Sequence, residues 1–114
     1  MKKKMLFVVV MVSCFLGIFS QAQAAEYLVS QATVTSVTNT GDNLSLFVVR
    51  TTGGSGPCAG SYTMFYLNRA ADADAHKRAF ALATTALITG KKVTIYNYVD
   101  SNCSNAAYIE LFNQ

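Results

Sequence analysis

The chain holds a single histidine, His76, in 114 residues. That scarcity excludes most side-chain catalysis at the outset. A Ser-His-Asp set would have to run through His76, and no Gly-x-Ser-x-Gly elbow supplies the nucleophile. His76 follows Asp72 by four residues and precedes Lys77 and Arg78 in a segment of helical character. The pattern reads as a solvated helical face. Asp72 and Asp74, two positions apart, point in different directions on a helix and serve as cap and first-turn charges. No spacing among the six acids argues for a carboxylate pair. A small hydrolase is therefore the weakest reading, and an enzyme is not expected.

Other absences narrow the field further. Thr51 to Gly60 is rich in glycine but contains no lysine, so it is not a phosphate-cradling P-loop. It leads into a strand-like segment rather than a helix, which argues against a dinucleotide loop. Cysteine is limited to Cys14, Cys58 and Cys103. Two cysteines with no nearby histidine make a poor zinc site, which wants four ligands. No metal and no cofactor is expected. Repeats, linkers and low-complexity blocks are also missing.

Residues 1–24 read as a secretory signal peptide. Lys2, Lys3 and Lys4 form a basic start, Met5 to Phe19 is apolar apart from Ser13 and Gly17, and Ala22-Gln23-Ala24 suits cleavage before Ala25. The apolar run is shorter than the roughly 20 residues a bilayer-spanning helix needs. A lipoprotein reading at Cys14 competes, because Met11-Val12-Ser13-Cys14 loosely resembles a lipobox. Against it, Phe15 to Phe19 stays apolar past the cysteine. The expected location is the periplasm or the medium, without a membrane span.

Removing the leader changes the charge. The formal +3 of the whole chain includes Lys2, Lys3 and Lys4. What remains is Arg50, Arg69, Lys77, Arg78, Lys91 and Lys92 against Glu26, Asp42, Asp72, Asp74, Asp100 and Glu110. A neutral domain lacks the basic footprint of a nucleic-acid binder and the polybasic segment that holds a protein on anionic lipid. Residues 25–114 form one domain of modest intrinsic stability. In an exported chain, Cys58 and Cys103 most simply form a disulfide. It would close a loop of about 46 residues, for which chain entropy gives about 4 kcal/mol.

Hydrophobic periodicity divides the domain into strands, a helix and further strands. Tyr27 to Val37 is a Val- and Thr-rich strand whose alternation slips, predicting a bulge. After a turn at Asn39-Thr40-Gly41-Asp42 comes a strand over Asn43 to Arg50, with Leu44, Leu46 and Val48 on one face and Phe47 and Val49 on the other. The glycine-rich segment is a wide turn anchored by Cys58. Tyr62 to Leu67 is a third strand. Ala70 to Gly90 is a helix with a stripe at Ala79, Phe80, Ala83, Ala86 and Leu87, capped by Asp72 or Asp74 and stopped by Gly90. Lys91 to Val99 and Ala106 to Phe112 are the last two strands, joined by a polar loop holding Cys103. The expected fold is mainly β with one helix, β-β-β-α-β-β, the order of an OB-fold-like five-stranded Greek-key barrel. An open α+β sheet is the alternative.

Aromatic residues carry what functional signal there is. With Phe65 and Leu67, Val93 and Ile95, and Ile109 and Leu111 assigned to the core, alternation leaves Tyr62, Tyr66, Tyr96, Tyr98, Tyr108 and Phe112 on opposite faces. Such rings suit a subunit interface or a platform on which sugar rings stack. Beside Asn97, Asp100, Asn102 and Asn105 they form a mixture suited to carbohydrate, with ring faces for C–H groups and amides or carboxylates for hydroxyls.

The segment Ala79-Phe80-Ala81-Leu82-Ala83-Thr84-Thr85-Ala86-Leu87-Ile88-Thr89-Gly90-Lys91-Lys92-Val93-Thr94-Ile95, the Gly-Ser-Gly-Pro-Cys loop, the leader and the lone cysteine pair resemble the subtilase cytotoxin B-subunit family. These are the glycan-binding subunits of ring-forming toxins. The likeness extends to small stand-alone exported bacterial relatives of that subunit. It implies an OB-fold, a homo-oligomeric ring and sialoglycan binding. By this resemblance, Ser30 and the pair Tyr96 and Tyr98 are the nearest candidates for the family's serine contact near the mature N-terminus and tyrosine contact after the fourth strand, while the loop around Cys103 departs from the toxin pattern. The candidate ligand-binding residues are thus Ser30, Tyr96, Tyr98, Asp100 and Asn102. The candidate interface residues are Tyr62, Tyr66, Tyr108 and Phe112. A glycan or glycoprotein and a second copy of the chain are the expected partners. A periplasmic protein-interaction module without sugar binding is the other reading.

Overall fold

A computed structural model describes residues 26–41 and 45–113. The leader expected over residues 1–24, Cys14 included, lies outside the described residues, as do Asp42, Asn43 and Leu44. Five antiparallel strands and one helix follow in the expected order. They are β1 (Glu26–Asn39), β2 (Leu46–Thr52), β3 (Tyr62–Tyr66), α1 (Ala73–Thr89), β4 (Lys92–Asn97) and β5 (Tyr108–Leu111). The spatial order is β3-β2-β1-β4-β5.

β1 is long because it serves two partners. Its C-terminal half pairs with β2, from Thr33 opposite Thr52 to Asn39 opposite Phe47. Its N-terminal half pairs with β4, from Glu26 opposite Asn97 to Thr33 opposite Lys92. The expected bulge is present, but the register breaks at three places rather than one: Tyr27/Val29 and Val29/Ala32 against β4, and Val34/Ser36 against β2. Gln31 takes φ 58° at the changeover, a left-handed conformation uncommon outside glycine. Its N–H donates to Thr94 Oγ1 at 3.2 Å, so the break leaves no stranded donor there.

The core is the set of faces that meet inside this curved sheet. Leu28, Val29, Ala32, Val34, Phe47, Val49, Phe65, Val93, Ile95 and Ile109 are buried, with Ala79, Ala83 and Ala86 of α1 laid over them. The small alanines let the helix approach closely, whereas Phe80 and Leu87, expected in the same stripe, stay partly exposed at its margin. Asp72 is the N-cap, accepting from Ala75 N–H at 2.8 Å. Gly90 ends the helix at φ 74°, its N–H donating to Ala86 O.

Three sequence expectations need correction. Leu67 is not core: the strand stops at Tyr66, a 3₁₀ turn spans Leu67–Arg69, and Leu67 is 36 % exposed while Thr63 takes its inward place. α1 begins at Ala73, not Ala70. β4 ends at Asn97, so Tyr98 and Val99 belong to the following turn.

Barrel closure is also only partial. β3 and β5 share no ladder, and the sheet is open along that seam. Two bonds draw its lips together. Ala106 N–H donates to Met64 O at 3.1 Å, and the Cys58–Cys103 disulfide joins the loop before β3 to the 3₁₀ turn Cys103–Asn105 before β5. The predicted disulfide is therefore present, and its loops are the ones a missing β3–β5 ladder would otherwise have to align.

The glycine-rich loop is bound, not free. Ser55 exchanges two backbone hydrogen bonds with Ser30, at 2.8 and 3.1 Å, and Cys58 N–H donates to Leu28 O at 2.8 Å. The loop thereby acts as a surrogate strand along the flank of β1 that β2 has left. Close approach explains two of its glycines. A Cβ on Gly54 would sit 2.4 Å from Ser30 O, and one on Gly56 would sit 2.6 Å from Leu28 O.

Two stability experiments follow. Replacing both cysteines with serine should lower stability by about 2–5 kcal/mol, read as a lower denaturant midpoint that matches the reduced wild type. Gly56→Ala, at φ 120° and against a backbone carbonyl, should cost about 2 kcal/mol or more. Gly53→Ala, with nothing within 4 Å, should cost about 1 kcal/mol for its left-handed backbone alone. Equal losses at the two glycines would remove the close-approach explanation.

Candidate functional site

Cross-strand register gathers the tyrosines. Tyr27 on β1 lies opposite Tyr96 on β4, and Tyr96 lies opposite Tyr108 on β5. Three tyrosines therefore form one row across three adjacent strands, on the face away from Val93 and Ile95. The Tyr96 and Tyr108 rings stack at 4.4 Å with an interplanar angle of 14°, and Tyr98 leans on Tyr108 at 5.4 Å and 39°. Such pairs contribute about 0.5–1.5 kcal/mol beyond their buried area. Tyr96 O–H donates to Glu110 Oε1 at 3.1 Å. Desolvation, then the Glu110 hydrogen bond and charge, push the Tyr96 phenol above its ordinary value; desolvation, then Tyr98 and the Glu110 charge, do the same for Tyr108.

Mutual stacking decides which rings offer a face. Tyr96 and Tyr108 are half-buried and spend their faces on each other. Tyr98 and Tyr27 are 59 % and 49 % exposed. Tyr98 therefore has the most open ring, and Tyr108 is its support.

The loop behind Tyr98 is held by side chains. Asn97, expected beside the rings as a sugar contact, is instead buried; its Oδ1 accepts from Val99 N–H and its Nδ2 donates to Asp100 Oδ1 at 2.6 Å. Asp100 also accepts from Asn102 N–H and from Asn105 Nδ2. Asn102 Oδ1 caps the 3₁₀ turn through Ser104 N–H. The Asn102 backbone donor is the main reason the Asp100 carboxyl sits below the usual carboxylate range. Burial opposes that shift; the Asn105 and Asn97 amides and the Arg69 charge assist it. Asp100 and Asn102 thus serve first to fix the loop.

The other candidates are dispersed. Ser30 has its backbone committed to Ser55, in the bulged stretch of β1 beyond the tyrosine row. On β3, Tyr62 lies under the Arg50 guanidinium at 5.5 Å, and Tyr66 O–H approaches Met64 Sδ at 3.8 Å. Phe112 continues β5 through its N–H to Lys92 O. Tyr108, grouped with these on sequence, belongs to the Tyr96–Tyr98 cluster. Tyr27 was not singled out as a candidate, although its place opposite Tyr96 puts it in the row; only the register reveals that.

His76 is a further correction. It does not occupy a solvated face. Its Nε2 lies 2.8 Å from Phe65 O, and its ring lies 5.0 Å from that of Phe47.

Among the described residues no group of three or more His, Cys, Asp or Glu side chains is placed to hold a metal, and no helix is long and apolar enough to cross a membrane. What the fold and site define is a small antiparallel β domain, pinned by one disulfide, with a tyrosine row beside a rigid polar loop. Over residues 7–113 the chain belongs to the DUF5992 family, a family of unknown function. No curated protein and no solved structure matches it.

The Asp100 clamp has a pH signature. A carboxyl held low in the folded state adds stability that is present above its unfolded value, about 3.9, and lost as pH falls through the lower folded value. Thermal melts between pH 7 and pH 2.5 should show this acid-side loss, with a smaller one in Asp100→Asn. An unchanged acid slope in that variant would refute the clamp.

Proposed function

We propose that this protein is an exported, non-enzymatic carbohydrate-binding domain that uses Tyr98 and its supporting rings as a stacking platform. The observation that carries the reading is the open Tyr98 face, set on stacked Tyr108 and Tyr96 and backed by a loop already rigid before any ligand arrives. Preorganisation of this kind lowers the ordering cost of binding. Pyranose C–H groups would lie on the Tyr98 ring, and hydroxyls would meet the Asn102 amide N–H, its oxygen being taken by Ser104, and the lightly used Oδ2 of Asp100. The likeness to toxin B subunits supports the same reading and extends it: a cleaved leader, a glycoprotein target and a homo-oligomeric ring, with Tyr62, Tyr66 and Phe112 as candidate contacts between copies.

One observation favours a second reading, a protein-interaction module. Val99, beside Tyr98, is 68 % exposed, and an aliphatic tip suits an apolar protein pocket better than a sugar.

Glycan-array screening of residues 25–114, followed by titration, tests the first reading. Tyr98→Ala should abolish any binding, and Tyr108→Ala should weaken it about tenfold by releasing the platform. Val99→Ser should leave it unchanged. Silence across sialylated and neutral glycans would overturn the proposal. A strict monomer by light scattering would remove the ring.

A further inference from the structure

The half-buried histidine opens a second question, independent of the tyrosine face. A cavity of 240 Å³ lies between the N-terminal half of α1, the end of β1 and Phe47 of β2, lined by Asn39, Phe47, His76, Lys77 and Phe80. Its floor is aromatic: the Phe80 ring meets Phe47 edge-on at 5.1 Å and 81°, and Phe47 stacks on Phe65 at 4.6 Å. For scale, an enclosed apolar cavity of about 150 Å³ suffices to hold benzene. This one is larger, is open to solvent, and has polar groups at its rim.

Those groups are specific. A carbonyl oxygen only accepts, so the contact with Phe65 O places the proton on His76 Nε2. In the neutral form of the ring, Nδ1 is then a bare acceptor, and no protein group bonds to it among the described residues. Lys77, the next residue, has no acid partner among the described residues and brings a positive charge to the same rim. Asn39 adds an amide. The set is therefore an aromatic floor, one cation, one amide and one imidazole acceptor. Nothing in the glycan reading uses it.

We propose that this cavity binds a small aromatic carboxylate carrying a ring hydroxyl. The ligand ring packs on Phe80, 38 % exposed, with the 2 % exposed Phe47 only closing the floor beneath it; aromatic pairs favour edge-on or offset contact there. The carboxylate takes the Lys77 ammonium and the Asn39 amide N–H, and the hydroxyl donates to His76 Nδ1. Charge complementarity selects the acid over its amide, and the imidazole lone pair selects a hydroxyl over an ether.

Amide-resolved NMR titration of the disulfide-bonded domain with 4-hydroxybenzoate, 4-hydroxybenzamide and 4-methoxybenzoate tests this. 4-Hydroxybenzoate should perturb the amides of Asn39, His76, Lys77 and Phe80 at submillimolar to millimolar concentration, with the amide and the ether each at least fivefold weaker. Lys77→Gln, a surface change, should erase the preference for acid over amide while leaving the amide's affinity unchanged. Tyr98→Ala, which disables the glycan platform, should have no effect here, so the two proposals fail separately. Absence of shifts at 10 mM, shifts centred on other residues, or equal affinity for acid and amide would each overturn the assignment.

Discussion

The seam between β3 and β5 is the constraint on which the rest of the domain rests. Five strands curl far enough to bring their two outer members together, yet no ladder joins them. One sulfur–sulfur bond and one N–H···O bond, from Ala106 to Met64, span the gap. If the seam parts, the polar loop after β4 loses its anchor at Cys103, although the β4–β5 ladder that holds Tyr108 beside Tyr96 is separate from it. The alanine face of α1 would also lose the curved surface it covers. A domain this small buries too little apolar surface to spare such a link.

The tyrosine cluster rests on backbone register in the β1–β4 and β4–β5 ladders. Tyr27, Tyr96 and Tyr108 meet because three strands bring one outward position into line, and the bulges in β1 adjust it. The neighbouring loop rests on side chains. Asn97 and Asp100 spend their hydrogen bonds inward, and Asn102 caps a turn. The residues with the most chemical capacity hold the scaffold first, and the most exposed apolar side chains beside them are Tyr98, Val99 and Tyr27.

Strand order, helix position, caps and the disulfide were legible in the sequence because each rests on a local signal. Alternating Val and Thr marked β1, alanine periodicity marked α1, and Gly90 marked its end. Cys58 and Cys103, the two cysteines beyond the expected leader, left one pairing to consider. Element ends were less legible. Leu67 and Tyr98 continue the alternation of β3 and β4 perfectly well, but the chain turns before reaching them, and periodicity does not register a turn made without glycine or proline. The site was the least legible part. Alternation named Tyr96 and Tyr108 separately, and register alone joins them and adds Tyr27. His76 read as solvated from its charged neighbours, whereas its real partner is a carbonyl on a strand that the sequence places eleven residues earlier.

β1, the first of the described strands in chain order, makes the centre of the sheet, yet half of it waits for β4. The Gln31–Thr94 bond spans 63 residues. Until β4 is made, that flank of β1 is an open edge; the glycine loop covers only the opposite flank, the one β2 has left. Assembly must therefore be late and concerted, since non-local pairings are reached only after long loops have closed. A nascent chain halted after α1 would carry the inward Leu28, Val29 and Ala32 of that half-strand without their β4 partners, and its own fold could not yet cover them.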